Sequence, residues 1–276
     1  MGSRQGCSLL PAFLFLLLVT LFFGREERPV REPDGNPRRP PIEEQMPLPG
    51  QLPAPEYGID ESGRPQDSQG TAFAISANGL WMTAEHVVRA CDRIGLSTGP
   101  AQAARVRGVF QSRVSDAAII TDGLPSPEIL PLAAHEPVAG ADGYHMGFPS
   151  GRPAVVHSRL IGPGSAARGP GRTEPVLAWA EVARFPEFDH ALGGISGGPT
   201  LDAAGTVVGI NSAASERRGR VLTTRPDAAI NLLHATRLAA DRAAPLPIAG
   251  VQGALARFQI YADSGAIRPV YCDVTG

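Results

Sequence analysis

The chain has 276 residues, 43% of them hydrophobic, and a formal net charge of −2. That is enough apolar content for one sizeable domain or two small barrels, and there is no basic surplus to suggest a nucleic-acid partner. Every basic residue is arginine, a matter of composition and not of mechanism. Cys7 to Phe23 is a nearly uncharged apolar run, at the short end of the ~17–25 residues that span a bilayer. Bulky residues follow it in Thr20-Leu21-Phe22-Phe23-Gly24-Arg25, where a signal peptidase needs small ones. Residues 1–24 therefore read as an uncleaved signal anchor.

From residue 25 to 66 prolines recur among charges with few apolar residues between them. Such a stretch buries too little to fold and is kept extended by its prolines, so it reads as a disordered spacer. Order is expected from residue 67. Thr71–Ser76 and Leu80–Thr83 flank Ala77-Asn78-Gly79, and Asn-Gly between strand-like runs signals a hairpin. Further strands are expected at 94–97, 104–110, 117–121 and 129–133. A second set is expected at 143–147, 154–162, 176–183, 199–201, 206–213 and 221–224, with the Gly- and Pro-rich stretch 162–175 as the largest loop. Many short strands with such punctuation predict an all-β barrel pair and not a parallel sheet. Residues 227–240 carry Ile230, Leu233, His234 and Leu238 at helical spacing, and Phe258–Tyr261 and Val270–Cys272 read as two last strands.

Three stretches carry chemistry. His86 follows an apolar strand in Thr83-Ala84-Glu85-His86-Val87-Val88, and Asp116 opens another in Ser115-Asp116-Ala117-Ala118-Ile119. Ser196 lies between glycines in Gly193-Gly194-Ile195-Ser196-Gly197-Gly198-Pro199. Glycine permits the backbone angles and the close substrate approach that an exposed nucleophile needs, and it leaves the N–H groups of Gly194 and Ser196 beside the serine as oxyanion donors. The same letters fit the G-x-S-x-G elbow of α/β-hydrolases, but there an acid and then a histidine follow the serine. Here only His234 follows, within the expected helix, which disfavours an esterase of that type.

The order His86, Asp116, Ser196 is that of the chymotrypsin-type triad. With Gly70-Thr71-Ala72-Phe73 ahead of the histidine and Val208-Gly209-Ile210-Asn211 after the serine, the chain resembles trypsin-fold serine proteases of the bacterial HtrA-like group. A weaker block, Gly147-Phe148-Pro149-Ser150-Gly151, is similar to the turn that opens the second barrel in that group. The resemblance covers about residues 67–240. It implies two six-stranded antiparallel barrels with a C-terminal helix over 67–243, and a C-terminal extension, 244–276, packed on that domain and too short for a PDZ domain. It also implies serine endopeptidase activity through an acyl-enzyme, with His86 as base, Asp116 as its orienting carboxylate and Ser196 as nucleophile. No cofactor is needed, and proteins or peptides of the cell envelope are the implied substrates.

Alignment from the serine places His190 near the base of the primary specificity pocket, with Asn211, Ser212 and Ala213 along its wall. A loop histidine facing water is the preferred reading of His190. Ile195 stands where related sequences often have a polar residue; it either packs inward as an apolar anchor or leaves the loop ill-formed until substrate binds. Cys91 and Cys272 are either a disulfide, which an oxidising compartment allows, or two buried thiols. No His, Cys, Asp or Glu spacing suggests a metal site. For the anchor, Arg25, Arg28 and Arg31 argue for a cytoplasmic C-terminal side, yet long domains translocate largely regardless of charge. With the resemblance, this places the domain outside the cytoplasmic membrane. The rival from another class is a catalytically silent trypsin-fold domain that binds a peptide or protein partner.

Overall fold

The computed structural model describes residues 55–59, 66–168, 171–215 and 219–275. The expected anchor lies outside the described residues, and among those described no helix is long and apolar enough to cross a membrane.

The Asn-Gly signal holds. Ser68–Ala74 (β2) and Trp81–Thr83 (β3) pair antiparallel around Gly79, whose φ of 91° is open to glycine at no steric cost. β3 runs into a four-residue helix, Glu85–Val88 (α1). Arg93–Gly99 (β4), Gln102–Val106 (β5), Gly108–Gln111 (β6) and Ala118–Thr121 (β7) follow. The strand expected at 104–110 is thus two, and 129–133 is irregular, with one bridge from Leu132 to Val207. Pro131 lies inside that run and has no N–H to donate to a ladder.

The second half contains Asp142–Gly147 (β8), Ala154–Arg168 (β9), Thr173–Phe185 (β10), Pro199–Leu201 (β11), Val207–Ser215 (β12) and Arg220–Thr224 (β13). In the order β8-β9-β10-β13-β12-β11, with β11 paired back to β8, these close a six-stranded barrel. The expected loop 162–175 is instead the far half of the β9–β10 hairpin. Pairing runs from Phe185↔Val155 to Thr173↔Ala167 and absorbs a register shift opposite Ile161. Gly162, at φ 151°, supplies the backbone that this bulge needs. Glu56–Ile59 (β1) adds to β9 in parallel, so the segment expected to be a disordered spacer is ordered there. Tyr57 and Ile59, on one face, pack with Ala166 and Val176.

The first half departs from the expected six-stranded barrel. Its sheet is open and seven-stranded, in the order β5-β4-β14-β2-β3-β7-β6, where β14 is Ile267–Asp273. The C-terminal stretch therefore does more than pack on the domain, since it supplies the strand between β2 and β4. The expected helix is Pro226–Thr236 (α2). Phe258–Tyr261, read as a strand, lies in the helix Gly250–Asp263 (α3), where Ala254, Phe258 and Tyr261 form one buried stripe at i, i+4, i+7. One core runs through both halves, from Phe73, Trp81 and Ile119 to Met146, Leu201 and Phe258. A second fills the closed barrel around Val156, Leu177 and Trp179.

Candidate active site

His86 is carried by α1 and Asp116 by the turn before β7, and β3–β7 pairing (Thr83↔Ala118) brings the two elements side by side. Asp116 is fully buried. Its Oδ1 accepts the backbone N–H of His86 at 2.9 Å, and its Oδ2 lies 2.8 Å from His86 Nδ1. The imidazole is held in the tautomer that leaves Nε2 free of a proton, the arrangement a general base requires. Oδ2 also accepts from Ser212 Oγ at 2.7 Å and from Arg168 Nη2 at 3.0 Å. Burial pushes this carboxyl up, but the charge and hydrogen bond of His86, the Arg168 guanidinium and the Ser212 hydroxyl outweigh it. Asp116 is held well below the usual carboxylate range.

The serine loop reaches this pair across Gly70. A Cβ on Gly70 would lie 2.6 Å from Val87 Cγ1 and 2.9 Å from the Ser196 carbonyl oxygen. Only glycine lets the serine backbone sit against β2 and the neighbour of His86 together. Thr71 N–H donates to the Ser196 carbonyl at 2.8 Å. The loop is pinned on its other side by Gly197 N–H to Asn211 O (2.7 Å) and Asn211 N–H to Gly198 O (2.8 Å).

Two peptide orientations follow from these bonds. The Gly193 carbonyl accepts Ser150 N–H at 2.9 Å, and the Ile195 carbonyl accepts Gly198 N–H at 3.0 Å. In a planar trans peptide the next N–H points the opposite way, so the N–H groups of Gly194 and Ser196 turn away from those partners. Among the described residues neither donates to a protein acceptor. Thr71 Oγ1 holds the Gly194 carbonyl at 2.7 Å. The weaker block noted in the sequence, Gly147–Gly151, thus buttresses the serine loop: Ser150 holds Gly193, and Phe148 N–H donates to Thr71 Oγ1 at 3.2 Å.

Ile195 turns inward and is 4% exposed, packed with Leu192, Val156 and Trp179 in the core of the closed barrel. Of the two readings open for this residue, the structure takes the apolar anchor. Beneath it, Asn211 Oδ1 joins fully buried His145 (Nδ1, 2.8 Å) and Thr200 (Oγ1, 2.7 Å), and His145 Nε2 meets Ser158 Oγ at 2.6 Å. Burial lowers the His145 pKa to about 4, so it is a neutral strut.

Beside Ser196 lies a cavity of about 250 Å³ bordered by Ala191, Leu192, Gly193, Ala213 and Val221. Asn211 and Ser212 also border it, although the Asn211 amide is engaged with His145 and Thr200, and Ser212 Oγ with Asp116. His190 is not part of the cavity. It is exposed, its ring rests on Phe188 at 4.5 Å between centroids, and its carbonyl accepts from Arg184. The turn after β10 carries His190 outward, to the water-facing position preferred for it over the pocket base. Cys91 and Cys272 are joined as a disulfide, with Cα atoms 5.3 Å apart, between the segment after α1 and β14. Among the described residues no cluster could hold a metal ion.

Sequence reading missed Arg168 and Glu174. Both fall in the stretch taken for a loop, and nothing local marks them, because Asp116, which gives Arg168 its place in the site, lies on the other half of the domain.

Sequence comparison with curated proteins finds no match. Among solved structures, the chain is similar to the active form of the Rv3671c protease from M. tuberculosis. The two share 20% identity and a TM-score of 0.52, over 73% of this chain and 96% of that one. It is also similar to the HtrA-type protease AlgW with tripeptide, at 21% identity and a TM-score of 0.50, over 61% of this chain and 55% of that one. At such identities the likeness speaks for the fold alone. The model of the trypsin-like peptidase domain matches residues 70–210, a stretch that takes in α1, the Asp116 turn and the serine loop. The chain belongs to the trypsin-like peptidase family.

Proposed function

We propose that the protein is a serine endopeptidase in which His86 takes the Ser196 proton as Oγ attacks a peptide carbonyl, and then passes it to the leaving amine. Asp116 orients the imidazole and stabilises the imidazolium, the Gly194 and Ser196 N–H groups receive the oxyanion, and water repeats the cycle on the acyl-enzyme. The observation that carries this reading is the buried Asp116–His86 hydrogen bond, with Ser196 seated across Gly70 from Val87. The substrates are proteins of the cell envelope, met outside the cytoplasm by a domain tethered through residues 1–24. The Cys91–Cys272 disulfide supports an oxidising compartment.

The test is labelling of the full chain with a fluorophosphonate beside Ser196→Ala. Labelling of the wild type that vanishes in the variant is the expected result. A folded wild type that takes no label would favour a silent binding domain.

The cavity beside Ser196 also sets a cleavage preference. About 250 Å³ with no charged lining side chain among the described residues suits a small aliphatic group such as valine or alanine at the cleaved bond. An arginine or glutamate there would be buried without a partner, so cleavage after valine is expected to exceed it by roughly 100-fold. Profiling a peptide library by mass spectrometry measures this; cleavage mainly after charged residues would reject the assignment.

A further inference from the structure

The closed barrel touches the Asp116–His86 pair through the end of its longest hairpin. β9 finishes at Arg168, whose side chain is 1% exposed. Its Nη2 donates to Asp116 Oδ2 at 3.0 Å and to Ser212 Oγ, and its Nε donates to Glu174 Oε1 at 2.6 Å. Asp116 Oδ2 is therefore shared by the imidazole, a hydroxyl and a permanent cation. Orienting the imidazole needs only the first. A guanidinium on the same oxygen does two further things. It holds the carboxylate ionised, and it disfavours a second cation close by, because like charges oppose ionisation within a few ångströms.

The hairpin end is built to stay there. Arg172, near its tip, pairs with Glu85 at 3.0 Å, so the hairpin grips both the Asp116 turn and α1. On the outer side, Ile59 of β1 stands in register with Arg168. The charged groups around His86 and Asp116 are Glu85 on α1 and Arg89 just after it, Arg168 and Arg172 on the hairpin, and Glu174 on β10. Glu85 is matched by Arg89 and Arg172. Arg168 faces Asp116 from one side with Glu174 behind it, and burial pushes the Glu174 carboxyl up.

We propose that Arg168, braced by Glu174, is a positioning residue that shares the Asp116 carboxylate with His86 and makes imidazolium formation harder, keeping the base unprotonated further into acid. This rests on the peptidase reading above. Glu174 tempers the effect, since its negative charge offsets part of the guanidinium's.

The experiment is the pH dependence of fluorophosphonate inactivation of the full chain, followed from about pH 4 to about pH 8, a range that brackets histidine titration. Wild type, Arg168→Gln, Arg168→Lys and Glu174→Gln are compared, with the Tm of each. Arg168→Gln is expected to move the acid limb up by about one pH unit, making it about tenfold slower than wild type on the acid side. Arg168→Lys, which keeps the charge, is expected to stay near wild type. Glu174→Gln is expected to move the limb the other way. A folded Arg168→Gln that reacts more slowly with an unmoved limb would reduce Arg168 to a prop and overturn the inference. If Arg168→Gln does not fold, an unmoved limb in Glu174→Gln overturns it equally. A wild type that is never labelled takes the peptidase reading down with it, whereas a labelled wild type with unmoved variants sinks this inference alone.

Discussion

Asp116→Asn is expected to lower the rate of peptide cleavage by roughly 10⁴-fold with little change in KM. Asparagine fits the same space, but its amide has one acceptor oxygen where the carboxylate has two. In the structure both oxygens are used, Oδ1 by the His86 backbone N–H and Oδ2 by Nδ1, Ser212 and Arg168. An amide NH₂ facing Nδ1 would select the tautomer with the proton on Nε2, the nitrogen that must accept from Ser196. The substituted chain also leaves Arg168 with one carboxylate partner, Glu174, in place of two. Steady-state kinetics on a valine-containing peptide separate kcat from KM. A loss smaller than tenfold would mean that His86 is oriented by something else.

Gly197→Ala is expected to lose about 3 kcal/mol of stability, the scale of one forced left-handed residue with a backbone clash, together with nearly all fluorophosphonate reactivity. Gly197 has φ 84°, and an added Cβ would lie 2.2 Å from both the Thr71 carbonyl oxygen and Thr83 Oγ1. Neither can retreat, because Thr83 Oγ1 donates to that same carbonyl at 2.8 Å and both strands lie in the core sheet. The loop itself would have to lift, carrying Ser196 away from His86. Gly193→Ala is the matched control, since nothing lies within 4 Å of a Cβ there, and its stability is expected to stay within about 1 kcal/mol of wild type. Equal losses in the two variants would show that the loop's glycines matter only for backbone freedom.

Both predictions concern residues singled out from sequence, and the reason they were visible is local. A histidine after a strand, an aspartate before one and a serine among glycines each need their own few neighbours, and those neighbours are contiguous. The Asn78-Gly79 hairpin was legible for the same reason. Phe258–Tyr261 was misread because four apolar-rich residues fit either period, and only the fuller stripe from Ala254 reveals a helix. Residues 162–175 were misread because glycine and proline weaken strand propensity, which pairing to β10 on one side and β1 on the other overrides.

His190 shows the limit of counting from the serine. Its distance along the chain puts it near the pocket base while its loop setting favours a water-facing position, and only the turn after β10 decides between them, laying its exposed ring on Phe188. The sequence alone pointed to the peptidase family and to His86, Asp116 and Ser196 as its candidate site residues, because each of the three stands in its own contiguous block. Only the tertiary structure decided that Ile195 faces the core, that β14 completes the first sheet, and that Arg168 reaches Asp116. Each of these depends on partners carried by other elements of the fold, whose meeting is set by sheet register and burial and leaves no mark in the local sequence.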